Sequence, residues 1–333
     1  MGGIWVVGEV DAAGALTKLS GEAATAARAL GEAGSRDVRG VIVAAEPDGA
    51  AASLATFLPV VLAVRSPEAL EQTAAAASAA RVAALVAAAT ERPSYVVVGA
   101  TPDGRDLAGA LSALLGVGVL VGSTALAWGD AVEGVPAGPR VEMQPFGGRI
   151  VTTSAFTGDR GIILLRSNMV VAEPLAAPGR VETGAAVEGL DVAPVRVVER
   201  VVAQSTGPSI DEARVIVSGG RGVGGPEGFA GLGELAGLLG GAVGATRAAV
   251  DAGWVDYAIQ IGQTGKTVKP AVYLAFGVSG AIQHKVGMQT AGTIVAVNRD
   301  PDAPIGDFAD LFVVADLAAV VPALAAALRA RAG

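Results

Sequence analysis

A glycine-rich segment at residues 218–225 (SGGRGVGG) is the first feature of the sequence that could bind a ligand. It follows an apolar run and precedes a helix-like one, and Gly220, Gly222 and Gly225 satisfy the spacing G-x-G-x-x-G. In that context glycines let backbone N–H groups approach a pyrophosphate, which the helix N-terminus also favours. A glycine-rich turn without a ligand is the alternative, because the chain contains 47 glycines.

The residues at the end of the next apolar run indicate which nucleotide the chain could bind. An ordinary NAD site requires an acidic residue about 20 positions after the glycine loop, where it binds the ribose. This chain has Thr246 and Arg247 at that point. The departure argues against ordinary NAD binding.

A second polar loop, residues 262–267 (GQTGKT), imitates the end of a nucleotide-hydrolase P-loop. That motif requires a glycine five positions before Gly265, where this chain has Gln260. Pro270 also disfavours the long helix that should follow. Nucleotide hydrolysis is therefore rejected, and the loop is either a ligand contact or an ordinary polar turn.

Residues 279–284 (SGAIQH) follow another apolar run and include His284, the only histidine. The small residues predict the first turn of a helix, whose free N–H groups could meet an anion. A structural histidine, bonded within the protein, is the alternative. Because the chain has no second histidine and no cysteine, His284 cannot belong to a histidine-rich or cysteine-ligated metal site.

Arg247, Asn298 and Asp316 also follow predicted strands. Separately they would be a surface arginine, a turn asparagine and a helix N-cap. Because the carboxyl ends of parallel strands meet at one edge of a sheet, the polar strand ends together predict a single crevice there. The N-terminal half offers nothing comparable: residues 103–106 predict a helix start, and the expectation for Glu142, Arg149 and Arg166 is that they face solvent.

Composition limits the class of protein that must position these residues. A length of 333 residues suggests two domains, and a formal charge of −8 argues against nucleic acid or an anionic membrane surface as the main partner. The absence of cysteine excludes disulfides and iron–sulfur clusters. Hydrophobic residues make up 52% of the chain but aromatic residues only 4%, which favours parallel sheets covered by alanine-rich helices.

In the N-terminal half, short β-branched runs alternate with longer alanine-rich segments. This pattern predicts strands at 4–7, 41–45, 95–99 and 117–121, and helices at 21–33, 67–89 and 104–115. A hairpin of residues 149–156 and 161–165 is predicted across the Gly158-Asp159 turn, and extended chain at 195–202. Residues 204–209 (QSTGPS) predict the domain boundary.

The alternation resumes in the second half. Strands are predicted at 214–218, 241–245, 258–261, 271–275, 293–297 and 311–314, and helices at 226–239, 280–288 and 316–330. The predicted fold class is α/β: an N-terminal α/β domain with an extended linker at 1–205, and a Rossmann-like, doubly wound parallel sheet at 210–333.

Residues 107–129 carry no charge and are long enough to span a bilayer. Four glycines interrupt the segment, which therefore predicts a helix, a tight turn and a buried strand. With no targeting signal at residues 1–10, a cytoplasmic protein without membrane insertion is expected.

Residues 214–322 resemble the α subunit of electron transfer flavoprotein, a family that includes the FixB proteins. The resemblance is carried by VSGGRG (217–222), ATRAAVDAG (245–253), QIGQTGKTVKP (260–270), GVSGAIQHKVGM (277–288), IVAVNRDPDAPI (294–305) and ADLAAVVP (315–322). The N-terminal half resembles the family loosely. Residues 223–228 depart from it, with Gly228 where the family usually has Asn, so only Arg221 is carried over from that loop.

The resemblance implies FAD bound across the second domain. It places Arg221 at the adenosine–pyrophosphate part, Thr246 and Arg247 at the isoalloxazine, Thr264 near N5 and His284 at the pyrimidine oxygen. The guanidinium beside the ring would favour reduced, anionic flavin. The complete set implied for cofactor binding is Arg221, Thr246, Arg247, Ile261, Gly262, Gln263, Thr264, Ser279, Gly280, Ala281, Ile282, Gln283, His284, Asn298, Asp316 and Leu317.

The resemblance also implies an electron carrier rather than an enzyme. Its obligate partner would be a β subunit holding AMP or a second FAD. The pair would carry electrons from flavin dehydrogenases, such as the acyl-CoA dehydrogenases of fatty acid β-oxidation, to a quinone oxidoreductase of the respiratory chain. Two alternatives remain, an NAD-dependent oxidoreductase on the same fold and a scaffold that binds no redox cofactor.

Overall fold

The computed structural model describes residues 2–70, 72–145, 150–184, 195, 197–199, 209–210 and 213–332. The chain divides into two compact units, Met1–Val202 and Ala203–Gly333. Within the described residues, no helix is long and apolar enough to cross a membrane.

The first unit is built around one mixed sheet. Its strands are β1 (Ile4–Gly8), β2 (Val38–Ala44), β3 (Val60–Arg65), β4 (Tyr95–Gly99), β5 (Val119–Gly129), β6 (Gly138–Met143), β7 (Thr152–Ala155), β8 (Gly161–Leu165) and β9 (Arg180–Thr183). Its helices are α1 (Lys18–Gly34), α2 (Asp48–Ala55), α3 (Ala74–Ala88) and α4 (Pro102–Leu115), with a 3₁₀ turn at Pro67–Leu70.

The strand order is β7-β6-β5-β8-β4-β1-β2-β3-β9, and the pairs are parallel except for β5–β6 and β6–β7. Successive residues of β1 point to opposite faces of the sheet. Ile4 and Val6 pack with α1 and α2, whereas Trp5 and Val7 pack with α3 and α4. Because side chains alternate along a strand, a sheet buried on both faces needs such continuous apolar runs.

Most predicted elements of this unit are confirmed, but the hairpin is wrong. β7 pairs with β6, whereas β8 lies between β4 and β5 and is parallel to both. The run 161–165 is apolar at every position, which suits a central strand buried on both faces. Arg149, the extended segment at 195–202 except for four residues, and residues 204–208 lie outside the described residues.

Residues 107–129 form the end of α4 and the strand β5, so the predicted helix, turn and strand are confirmed, but the strand was expected to be buried and residues 117–121 are only partly buried or exposed. Gly116 ends α4 with a left-handed φ of 66°, and its N–H bonds the carbonyl of Ser112. A glycine at this position is the usual way to terminate a helix without steric cost.

The second unit contains a smaller sheet that is entirely parallel. Its strands are β10 (Val215–Gly219), β11 (Ala242–Ala245), β12 (Val272–Phe276), β13 (Thr293–Asn298) and β14 (Leu311–Val314). Its helices are α5 (Pro226–Leu238), α6 (Arg247–Asp251), α7 (Ile282–Met288) and α8 (Leu317–Ala332). Short 3₁₀ turns occur at Arg221–Val223, Tyr257–Ile259 and Pro304–Asp307.

The strand order is β11-β10-β12-β13-β14. β11 lies on one side of β10 and the later strands lie on the other, so the order of connection reverses between β10 and β12 although all strands stay parallel. Helices cover both faces: α5, α6 and α8 pack around Val217 and Phe276, and α7 packs around Ile216 and Tyr273 on the opposite face. The predicted doubly wound parallel sheet is confirmed. In this class of fold, ligands bind at the carboxyl ends of the strands at the point where the order reverses.

The predicted strand at 258–261 is wrong, so the described sheet has five strands rather than six. Residues Tyr257–Ile259 form a 3₁₀ turn in which the Asp256 carboxylate accepts the N–H of Ala258, and only single bridges follow, at Gln260 and Ile261. The segment meets the end of β11 in a single parallel bridge between Ala245 and Gln260, which brings the polar loop that follows it to the sheet edge.

Candidate functional site

The loops after β10 and β12 meet at the point where the strand order reverses. The N–H of Gly220 donates to the carbonyl of Phe276 (2.9 Å), and the N–H of Gly222 donates to the carbonyl of Gly277 (3.0 Å). A Cβ at Gly220 would lie 2.3 Å from the carbonyl oxygen of Gly277. The glycines therefore permit a backbone contact that no other residue type would allow.

A cleft of about 1030 Å³ opens above this contact. That volume is at the upper end of the range for small-molecule sites and suits a long ligand. The cleft brings together most of the predicted cofactor residues. Those that line it are Arg221, Thr246, Arg247, Ile261, Gly262, Gln263, Thr264, Ser279, Ala281, Gln283, His284 and Asn298.

Four predicted residues lie elsewhere. Gly280 adopts a left-handed φ of 85° and packs against the backbone of Ile305, and Ile282 is an exposed residue of α7. Asp316 and Leu317 line a separate pocket of about 320 Å³ at the start of α8. This pocket shares Gly222 with the cleft, so the two are neighbours at the end of β10.

Gly220 and Gly222 of the glycine loop also line the cleft, and sequence reasoning missed seven further lining residues. These are Ala248, Asp251, Ala252, Gly277, Val278, Arg299 and Asp300. All of them follow the carboxyl ends of β10, β11, β12 or β13. Position after a strand was therefore a sufficient signal, but it was applied to only some of the residues after each strand, and even the charged residues Asp251, Arg299 and Asp300 were left out.

The loop at residues 260–266 is held rigidly against α7. The N–H of Gln263 donates to the carbonyl of Gln283 (2.7 Å), and the amide of Gln260 donates to the hydroxyl of Thr264 (3.1 Å). Gly262 has a φ of 143°, and a Cβ there would lie 2.8 Å from the carbonyl oxygen of Gln283. The loop is thus held in place by bonds within the chain.

His284 is buried, and both of its ring nitrogens are bonded within the protein. Nδ1 lies 3.0 Å from the carbonyl oxygen of Ile261, and Nε2 lies 2.9 Å from the hydroxyl of Tyr273. Burial lowers the pKa of His284 to about 4. A hydrogen bond from His284 to a flavin would have to replace one of these bonds, so the arrangement differs from the predicted contact with the pyrimidine oxygen.

Thr246 differs from His284 because its hydroxyl is buried without a hydrogen-bond partner. The residue follows β11 and lines the cleft. An unpaired buried hydroxyl costs about 1–3 kcal/mol. A bound ligand that pairs with Thr246 would recover that energy.

The charged side chains of the cleft are mainly basic: Arg221, Arg247 and Arg299 stand against Asp251 and Asp300. Arg247 is exposed, and its Nε lies 3.1 Å from a carboxylate oxygen of Asp251. Excess positive charge in an otherwise acidic chain favours an anionic ligand at this site.

Asn298 and Asp316 both organise backbone. The amide of Asn298 donates to the carbonyl of Val278 (3.0 Å), which joins β13 to the loop after β12. Asp316 accepts the N–H of Ala318 (2.9 Å) at the start of α8. Asp316 therefore acts as the predicted helix N-cap and also lines the small pocket.

In the N-terminal unit, two residues that were expected to face solvent are partly buried. Arg166 is partly buried, and burial lowers its pKa. Glu142 is also partly buried, with a carboxylate oxygen 3.4 Å from the hydroxyl of Thr124. The helix start at residues 103–106 is confirmed, because α4 begins at Pro102 with Thr101 as its N-cap.

The chain is therefore a two-domain α/β protein whose second sheet carries a dinucleotide-sized cleft at its switch point. Comparison with known families matches residues 209–289 to the electron transfer flavoprotein FAD-binding domain and residues 4–195 to the electron transfer flavoprotein domain.

Its relatives support the same assignment. The electron transfer flavoprotein subunit alpha of Mycobacterium leprae is 41% identical over 325 residues, covering 96% of each chain. That of Mycobacterium tuberculosis is 42% identical over 327 residues, covering 97% of each chain. Protein FixB of Clostridium saccharobutylicum is 41% identical over 245 residues, 71% of this chain and 70% of its own. The chain belongs to the electron transfer flavoprotein α-subunit family, whose members are electron carriers rather than enzymes.

The match to the FAD-binding domain confirms FAD as the cofactor. The cleft fits such a group: glycine backbones line the switch point, arginines offset the charge of a diphosphate, and the Thr246 hydroxyl is buried and unpaired. An acidic ribose-binding residue is absent at the end of β11, where Thr246 and Arg247 stand, which continues to disfavour NAD.

Proposed function

We propose that the chain, paired with a β subunit in the cytoplasm, carries electrons from flavin dehydrogenases to a quinone oxidoreductase of the respiratory chain. The proposed electron donors include the acyl-CoA dehydrogenases of fatty acid β-oxidation. The observation that carries the proposal is the basic switch-point cleft of about 1030 Å³ in a chain of this family.

The cleft residues would hold FAD by two kinds of contact. We assign the adenosine end to Arg221, Asn298, Asp316 and Leu317, which line the cleft and the neighbouring small pocket. We assign the phosphates to the backbone of residues 279–284. Glycine at the switch point lets these groups approach a bound diphosphate closely.

The other end of the cleft would receive the isoalloxazine. FAD accepts and releases electrons one or two at a time, and that chemistry belongs to the cofactor. The chain positions the ring and sets its electrostatic surroundings. Arg247 would offset the negative charge of the reduced ring, while Thr246 and Thr264 offer hydroxyls to its edge.

A β subunit is proposed as the partner because the family carries the name of a subunit. We assign residues 1–205 to partner binding and residues 210–333 to FAD binding. The β chain would hold AMP or a second FAD. A cleft with exposed lining residues at the end of a sheet also suits a carrier, since donor and acceptor proteins must both approach the flavin.

The test is anaerobic reduction of the chain purified with its β subunit, followed by visible absorption. We expect flavin bands that bleach when a catalytic amount of acyl-CoA dehydrogenase and its substrate are added, and that recover on addition of quinone oxidoreductase and quinone. A protein that stays colourless after reconstitution with FAD would overturn both cofactor and function.

Reduction with dithionite tests flavin binding separately from the identity of the electron donor. If dithionite bleaches the bound flavin but no acyl-CoA dehydrogenase does, the chain is a flavoprotein and the proposed donor is wrong. If NADH bleaches the flavin of the isolated chain directly, the alternative of an NAD-dependent oxidoreductase replaces the proposal.

A further inference from the structure

A buried glutamine lies behind the polar loop of the cleft. Gln260 comes directly before that loop, and only 2% of its surface is exposed. It stands where the P-loop of a nucleotide hydrolase would have a glycine. Its N–H donates to the carbonyl of Tyr257 (2.9 Å), and its carbonyl accepts the N–H of Lys266 (2.8 Å). The backbone of Gln260 is therefore fixed on both sides, which gives its side chain a defined starting point.

The side chain of Gln260 crosses the loop to Thr264. Its Nε2 donates to Oγ1 of Thr264 at 3.1 Å. Gly265 leaves room for this path, because a Cβ there would lie 3.0 Å from Cγ of Gln260 and 2.3 Å from its carbonyl oxygen. The bond joins a buried amide to a residue that is exposed in the cleft.

The direction of this bond decides what the Thr264 hydroxyl can offer to a ligand. A threonine hydroxyl carries one proton and has two acceptor positions. Because Gln260 donates to Oγ1, the bond occupies an acceptor position and does not use the proton. Within the part of the chain that the structure describes, no other group bonds this oxygen. The proton is therefore left for an acceptor atom in the cleft.

The backbone of Thr264 is held separately from its side chain. The hydroxyl of Tyr257 donates to the Thr264 carbonyl. The N–H of Gly265 donates to the carbonyl of Gly262 (3.1 Å), which closes a tight turn around Thr264. The Gln260 bond therefore acts on the orientation of the hydroxyl rather than on the path of the chain, and different variants can test the two contributions.

We propose that Gln260 is a positioning residue of the flavin cleft, whose amide orients the Thr264 hydroxyl so that it donates its proton to the edge of the isoalloxazine. Negative charge accumulates on the ring when flavin is reduced, so a donor at its edge stabilises the reduced form. Gln260 acts through Thr264 and does not itself line the cleft. The inference rests on the proposed function for the identity of the occupant and for the placement of Thr264 at the ring.

The variant Gln260→Met tests the orientation, because methionine is of similar length and has no amide. The chain purified with its β subunit and FAD is titrated potentiometrically. We expect the equilibrium constant for uptake of the first electron to fall about fivefold, which is about 41 mV at about 59 mV per tenfold change. A higher potential would mean that Gln260 accepts the hydroxyl proton and turns it away from the ring. That result, or an unchanged potential, would overturn the proposal.

A double-mutant cycle separates orientation of the hydroxyl from a merely structural role of Gln260. Thr264→Val removes the hydroxyl and keeps the shape of the side chain, and it should lower the potential on its own. In that background Gln260→Met should have no further effect, because no hydroxyl remains to be oriented. An equal fall in both backgrounds would overturn the proposal.

Tyr257→Phe is the matched control for the cycle. It removes the hydroxyl that bonds the Thr264 carbonyl of the same loop and does not touch Oγ1. The fall caused by Gln260→Met should therefore persist in full in the Tyr257→Phe background. Loss of that fall would show that the backbone of the loop, and not the hydroxyl, carries the effect, and would contradict the role given to Gln260.

A flavin-free measurement keeps this inference separate from the proposed function. In urea denaturation of the complex without FAD, Gln260→Met and Thr264→Val should be coupled by about fivefold in the folding equilibrium constant, as for one hydrogen bond. Zero coupling would overturn the inference whether or not FAD binds. Coupling without FAD binding would contradict only the proposed function. If Gln260→Met does not fold, an unchanged potential in Thr264→Val would still overturn the inference.

Discussion

The N–H of Gly222 donates to the carbonyl of Gly277 at 3.0 Å, so the two loops that form the floor of the cleft are bonded directly to each other. Gly277 has a left-handed φ of 62°, and a Cβ there would lie 2.7 Å from the backbone of Gly222. The floor is therefore a contact between backbones. A side chain at Gly277 would have to displace one loop from the other.

Gly277→Ala is expected to destabilise the second unit and to weaken FAD binding at least tenfold. The left-handed backbone costs a non-glycine residue about 1–2 kcal/mol, and the clash with Gly222 adds to that. Urea denaturation of the chain labelled with 5-fluorotryptophan measures the first effect, because the ¹⁹F resonance of Trp254, the only tryptophan of residues 203–333, is separate from those of Trp5 and Trp128. Titration with FAD measures the second.

Gly240→Ala is the matched control for that substitution. Gly240 has a φ of 59°, close to that of Gly277, but a Cβ there meets no atom within 4 Å. It should lose a similar backbone energy and keep its FAD affinity. Equal losses of affinity in the two variants would contradict the role given to the loop contact.

Arg247→Ala is expected to lower the reduction potential of bound FAD or to weaken its retention. Removal of a cation beside the ring destabilises the reduced, negatively charged form. A loss of about 1.4 kcal/mol in a one-electron couple corresponds to about 59 mV. Potentiometric titration measures the change, and Arg247→Lys should retain part of the effect.

Asp251→Asn is a control that should shift the reduction potential in the direction opposite to Arg247→Ala. It removes the carboxylate that lies 3.1 Å from the Arg247 guanidinium, and should therefore raise the potential. An unchanged potential and an unchanged FAD affinity in Arg247→Ala would show that this guanidinium does not act on the flavin.

The strands that could be predicted from sequence are those with continuous apolar runs. β4, β8 and β14 have their predicted bounds, because each is a short apolar segment between polar turns. β3 was missed although it is also apolar (VVLAVR), and it follows α2, a short alanine-rich helix that was missed with it. Pro59 lies directly before β3 and was a boundary signal that the prediction overlooked.

Pairing was harder to predict than the strands themselves. The sequence around Gly158 and Asp159 suits a tight turn, but nothing local shows that β8 inserts between β4 and β5. Similarly, the buried bonds of His284 depend on Tyr273, eleven residues earlier in β12. Contacts of this kind arise from the packing of α7 on the sheet, which local periodicity does not encode.

Thr101→Val is expected to destabilise the first unit more than Thr73→Val. Both hydroxyls accept an N–H at a helix start, an N-cap worth about 0.5–2 kcal/mol. Thr101 also donates to a carboxylate oxygen of Glu9 at 2.7 Å. Chemical denaturation of both variants measures the difference, and Glu9→Gln should reduce it.

The pH dependence of stability should report the burial of His284. Its pKa is about 4 in the folded chain, against an ordinary value of 6.5. Above pH 6.5 the residue is neutral in both states and has no effect. As the pH falls from 6.5 to about 4, the unfolded chain binds a proton that the folded chain does not, so stability is lost, by about 3 kcal/mol in total.

His284→Gln isolates this effect from the carboxylates, which titrate in both proteins. The variant loses hydrogen bonds and should be less stable than wild type at pH 7, but the gap should narrow by about 1.4 kcal/mol for each pH unit below 6. Urea denaturation at pH 7, 6 and 5, followed by the ¹⁹F resonance of Trp254 in the 5-fluorotryptophan-labelled chain, gives the two curves. Parallel curves would mean that His284 accepts a proton as readily in the folded chain as in the unfolded one, and that the buried bonds to Tyr273 and Ile261 do not hold it neutral.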